Sequence, residues 1–251
     1  MTDVQPQTAA APQNADVRHV LRLDYALAGD LRFLSHHEQI GFLTRAMIRA
    51  DWPLAYSRGF NPQPRLTLPL PRSVGTASDC ECATVVLNTA PPLRTLFETL
   101  DACLPADCAL RYIAWHGRRT PPHPVRTVYA VPLRSEDARG AEAEITDLMT
   151  RQRIPVQREY GPDKPARTVD IRPYIETITL AADVLVMRLV FQEQRTARPG
   201  EILQALKLLD ADYEYRVRRT AVEWDLAPDG SPCWPPVPER IKVDQEESCC
   251  T

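Results

Sequence analysis

At 251 residues, with 44% hydrophobic and 25% charged side chains, the chain has the composition of an ordinary globular protein, long enough for one large domain or two small ones. No apolar run approaches the ~20 residues that cross a bilayer, and residues 1–16 lack the basic start and apolar segment of a signal peptide, so a disordered leader and a cytoplasmic protein with no membrane partner are expected. The net charge of −3 conceals a local surplus: from Val17 to Gly75 there are eight arginines against four acids, and lysine occurs only at Lys164, Lys207 and Lys242. Arginine contacts phosphate bidentately, so such a patch can hold a polyanion even on a mildly acidic protein. A GC-rich genome that encodes arginine in place of lysine is the plain alternative.

In chain order, "VRHVLRLDYAL" from Val17 alternates as a half-buried strand, with Val20, Leu21, Leu23 and Tyr25 apolar and arginines opposite. Ser35 and Glu38 have the spacing of a capping box, which opens a helix whose apolar stripe is Ile40, Leu43, Met47 and Ala50. Arg45 and Arg49 fall one turn apart on one flank of it, and Asp51 and Pro53 end it. "LAYSRGFNPQPRLTLPLP" is too rich in proline for a helix and predicts two extended segments around a tight turn at Gly59–Pro64. A strand at "CECATVVLNT", a helix at "PPLRTLFETLDACL" and a strand at "CALRYIAWHG" follow. The resulting order, β-α-β-β-α-β over residues 17–117, is the ferredoxin-like arrangement.

"RRTPPHP" at 118–124 has a linker's composition, and the same order then recurs over 125–224. "VRTVYAVPL" is a strand and "AEAEITDLMTRQ" a helix. "RTVDIRPYIETITLAADVLVMRLVF" is a strand pair turning near "LAAD", "RPGEILQALKLL" is a helix from Pro199, and "YEYRVRRTAVEW" is the closing strand. The expected fold is therefore α+β: two ferredoxin-like units in tandem, each with an antiparallel sheet. Arginines in "RYIAWHGRR" and "YRVRRTAVEW" are expected at solvated strand positions. The tail at 225–251, proline-rich and then acidic, has a disordered composition.

The residues exclude several chemistries. Seven cysteines are present, but Cys80/Cys82, Cys103/Cys108 and Cys249-Cys250 lack paired C-x-x-C spacing, so no zinc or iron–sulfur site is expected. The odd count argues against a disulfide framework. Nine glycines, none in a phosphate-binding motif, leave nucleotide loops without support. No cofactor is expected in this chain.

What remains is the stretch from Ser35 to Leu68. His36 and His37 sit at the first turn of a helix, where free N–H groups attract anions. One of them could contact a phosphate, act as acid–base in metal-independent RNA cleavage, or simply pack beneath the following hairpin. In "YSRGFNPQPR", Gly59 permits a positive φ and Asn61 can bond within its own turn. Tyr56, Ser57, Arg58 and Arg65, beside Arg45 and Arg49, could hold a phosphodiester backbone, with Phe60 stacked on an unpaired base. An aromatic beside a tight turn is more often a core anchor.

The stretch also resembles the signature of the radical-SAM-linked proteins, a bacterial family. Members read F-x-S-H, then a helix ending in basic residues, then P-x-x-x-S-x-G-F-N-P-x-P. Ser35, His36, Pro53, Tyr56, Ser57, Gly59, Phe60, Asn61, Pro62 and Pro64 match. "VDIRPYI" at Val169–Ile175 resembles a second, weaker motif, and His37 and Glu38 depart from the usual Leu-Asp. The resemblance implies a partner more than a reaction: a cobalamin-binding radical SAM protein. This chain lacks the C-x-x-x-C-x-x-C run that would hold such a partner's cluster. Three readings stand: an RNA-binding accessory protein without catalysis, an endoribonuclease using His36 or His37, and a protein-only scaffold with no RNA contact.

Overall fold

A computed structural model of the chain describes residues 19–118, 120–159, 165–208, 211–225 and 233–234. The expected leader at 1–16, Cys249-Cys250 and most of the expected tail lie outside the described residues.

The first half runs β1 (His19–Leu27), α1 (His36–Arg49), β2 (Leu66–Thr67), β3 (Ala77–Leu87), α2 (Leu93–Asp101) and β4 (Cys108–Trp115). The capping box forms: Glu38 N donates to Ser35 Oγ at 3.4 Å, and Ser35 N to Glu38 Oε2 at 2.8 Å. Past Arg49 the chain leaves the helix at Ala50, and Asp51 adopts a left-handed φ of 55°. Trp52 Nε1 then donates to Leu96 O at 3.2 Å and ties α1 to α2.

The second half runs β5 (Pro124–Pro132), α3 (Ser135–Thr150), β6 (Pro155–Arg158), β7 (Arg167–Asp170), β8 (Ile175–Ala181), β9 (Val184–Val190), α4 (Pro199–Ala205), α5 (Ala211–Glu214) and β10 (Arg218–Trp224). β8 and β9 form the expected hairpin, and Ala182 and Asp183 supply its two positive-φ turn residues. β6 and β7 make a separate two-stranded ribbon that periodicity did not announce. Within the expected tail, β11 (Cys233–Trp234) pairs with β4, so this dipeptide extends the sheet edge.

The architecture is mixed α+β around one large, mostly antiparallel sheet. Its order is β11-β4-β1-β3-β10-β5-β9-β8, with β2 attached to β3. In each half the first strand lies between the last two: β4-β1-β3 in one, β10-β5-β9 in the other. Instead of two independent sheets joined by a linker, the halves share one, because β10 pairs in parallel with the start of β3 at Arg218↔Ala77 and Arg219↔Ser78.

Each half keeps its own apolar core. Leu21, Leu23, Leu27, Leu43, Met47 and Leu87 belong to one; Val131, Leu148, Ile171, Met187, Leu189 and Ile202 belong to the other. Polar side chains join them. Gln39 Nε2 donates to Tyr25 Oη at 2.7 Å and to Glu81 Oε2 at 3.3 Å, and Arg219 Nη1 donates to Glu81 Oε1 at 3.1 Å. Arg219 also lies over the Tyr129 ring, 5.7 Å from its centroid. No helix among the described residues is long and apolar enough to cross a membrane.

Candidate phosphate-binding surfaces

His36 is half-buried and His37 exposed at the start of α1, with ring centroids 5.8 Å apart. His36 Nδ1 is buried and has no partner among the described residues. Burial first, and the neighbouring His37 second, hold the His36 pKa below its ordinary value. An imidazole so placed is mainly neutral near pH 7. No hydrogen bond orients either ring among the described residues, so the second group that usually positions a catalytic histidine is not in contact.

Arg45 and Arg49 are exposed on α1, as their spacing indicated. They line a shallow groove of about 460 Å³ with Phe42 and Cys103–Pro105, and Arg49 Nη2 donates to Cys103 O at 2.8 Å. Arg58 and Arg65 do not line that groove. They belong to the hairpin before β2, on the far side of β3 from β1 and β4.

The hairpin is rigid at its base. Tyr56 bridges to Pro64, Ser57 N donates to Gln63 O at 2.8 Å, and Gln63 N returns to Ser57 Oγ at 3.0 Å. Arg65 N donates to Ala55 O at 2.9 Å and Val86 N to Arg65 O at 3.0 Å, which welds the base to β3. Asn61 Oδ1 accepts from Gln63 Nε2 at 3.2 Å. Ser57 and Asn61 thus build the turn. Gly59 has φ 137°, a region that L side chains resist. At the tip Phe60 is 112% exposed, with exposed Arg58 beside it, and Tyr56 is 47% exposed at the flank. Phe60 is no core anchor.

Two further arginines are structurally central. Arg219, expected in solvent, is 1% exposed, because its strand lies inside a continuous sheet and not at an edge. Arg72 is 6% exposed and donates to five carbonyls: Leu31, Arg32, Leu34, Ser73 and Thr76. It pins the turn that enters Ser35 and the motif helix. The nearby Pro69 and Pro71 were a signal of fixed backbone; nothing local marked Arg72 as buried.

A family model for uncharacterized proteins conserved in bacteria, DUF2344, matches residues 20–199. The chain belongs to this family. The match runs from β1 to the first residue of α4, so it takes in the first core, much of the second, the motif helix and the exposed hairpin of this DUF2344 protein. No curated protein matches the chain.

Proposed function

We propose that this DUF2344 protein is a cytoplasmic, non-catalytic RNA-binding accessory of a cobalamin-binding radical SAM protein, built as two ferredoxin-like units in tandem. The repeated strand order of the two halves supports the tandem reading, and the motif resemblance supports the partner. RNA binding rests chiefly on Phe60: a fully exposed aromatic at the tip of a hairpin whose base is hydrogen-bonded to the sheet. Holding a bare phenyl ring in water forgoes the burial that would stabilise the fold, whereas an unpaired base can cover it by stacking. Arg58 beside it supplies a cation for the adjoining phosphate, and Tyr56 and Arg65 extend the strip toward β2. Arg45, Arg49 and His36 offer a second phosphate contact on α1.

The endoribonuclease reading keeps one observation in its favour: a neutral, half-buried His36 with an unpartnered Nδ1 can accept a proton. Incubating the full chain with single-stranded RNA in chelator separates the readings. Retention of intact RNA is expected. Metal-free cleavage that disappears in His36→Gln would replace the accessory reading with the nuclease, and neither retention nor cleavage would leave the protein-only scaffold.

A further inference from the structure

Between the two halves lies a second basic feature, independent of the hairpin. A cleft of about 730 Å³ receives Arg72 from the segment after β2, Arg158 and Arg167 from the β6–β7 ribbon, and Arg195 and Arg198 from the segment before α4. Among the described residues no aspartate or glutamate lines it. Guanidinium groups drawn together from separate parts of the chain repel one another, so the convergence costs stability to the extent that carboxylates such as Glu201 do not offset it.

Their commitments differ. Arg158 forms a buried fork with Glu201, Nε to Oε1 at 2.6 Å and Nη2 to Oε2 at 2.8 Å, and Nη2 also donates to Thr196 O at 2.8 Å. That pair is neutral and fixes the 195–198 segment against the ribbon. Arg72 is held by carbonyls; burial weighs against its charge, and its Nε, buried in the cleft wall, has no partner among the described residues. Thr196 Oγ1 is likewise buried without a partner among the described residues. Arg195 and Arg198 are exposed and make no ion pair among the described residues. Pro71, Tyr129, Val169 and Phe191 supply apolar wall between the cations.

We propose that this cleft binds a nucleotide. The volume falls in the range of small-molecule sites. Guanidinium groups converging from separate segments match the oxygens of a di- or triphosphate, and the apolar wall offers the base a surface no inorganic anion needs. This site does not depend on the hairpin or on RNA.

Titration calorimetry of the full chain with ATP, GTP, pyrophosphate and adenosine tests it. Saturable 1:1 binding of a nucleoside triphosphate is expected, with pyrophosphate weaker and adenosine weakest. The double variant Arg195→Ala/Arg198→Ala should bind about tenfold or more weakly, as loss of a charge-assisted contact implies, while its unfolding midpoint is retained because both side chains are exposed. Phe60→Ala should bind nucleotide as the parent does, which separates this site from the RNA surface. Equal affinity for nucleotide and pyrophosphate, or an undiminished affinity in the double variant, would overturn the proposal.

Discussion

Arg219 on β10 donates to Glu81 on β3 at 3.1 Å, with the two side chains only 2% and 3% exposed. This is where the two halves of the sheet become one. The parallel pairing of β10 with β3 covers only two residues, so the ion pair and its neighbours do much of the joining. Gln39 adds a bond to Glu81 from α1, and Arg218 reaches Asp79 at 2.5 Å on the exposed side. The joint adjoins the segment that carries Arg72, because Arg219 Nη2 also donates to Pro71 O at 3.1 Å.

Removing one partner of a buried pair strands the other charge. Arg219→Ala should therefore destabilise the protein by roughly 3–5 kcal/mol, read as a lowered midpoint in urea unfolding followed by circular dichroism. The paired replacement Glu81→Met/Arg219→Met should recover a good part of that loss, since no charge is left buried. A single variant as stable as the parent would show that the joint carries little of the fold.

At Gly59 the φ of 137° and the open space where a Cβ would stand separate strain from clash. Gly59→Val should cost about 1–3 kcal/mol through backbone strain alone, or distort the tip and weaken RNA binding with it. Urea unfolding together with the RNA affinity of the same variant checks this. If both match the parent, the tip does not require a glycine.

The depressed pKa of His36 predicts a pH dependence with a definite sign. The unfolded chain takes up a proton on this histidine near its ordinary pKa of about 6.5, while burial and His37 oppose protonation in the fold. The unfolded state then holds more protons, so stability falls as pH drops through and below that value. Comparing urea midpoints at pH 8 and pH 5.5 should show the loss, and His36→Gln should flatten it. Asp137 and Asp170 are also depressed, Asp137 by bonds from Tyr213 and Arg134, Asp170 by bonds from Ile154, Arg172 and Arg153 that outweigh its desolvation. Their stabilisation is lost only at lower pH, through the carboxylate range.

Local signals were legible where the physics is local. Ser35 and Glu38 announced the α1 start, the prolines and Gly59 announced the hairpin, and "LAAD" announced the β8–β9 turn. Contacts distant in sequence left little trace. A two-residue parallel rung between β3 and β10 has no pattern of its own, so Arg219 looked like any solvated strand arginine. Arg72 is buried by carbonyls from Leu31 to Leu34, some forty residues upstream, and nothing near it in the chain foretells that. That Arg45 and Arg49 share a groove with Cys103–Pro105, which Arg58 and Arg65 do not line, depends on how α1 packs against the segment after α2, and spacing along one segment does not encode that.

The central claim is that the hairpin tip grips single-stranded RNA by stacking on Phe60 and by charge at Arg58. The salt dependence of affinity for a labelled single-stranded oligonucleotide, measured for the parent, Phe60→Ala and Arg58→Ala, tests it most directly. Phe60→Ala should weaken binding by about 5- to 150-fold, the worth of one stacked base, with the slope of log affinity against log salt unchanged. Arg58→Ala should lower that slope by roughly 0.7, one phosphate contact on a single strand. If both folded variants bind with the parent's affinity and the parent's slope, the tip does not hold RNA.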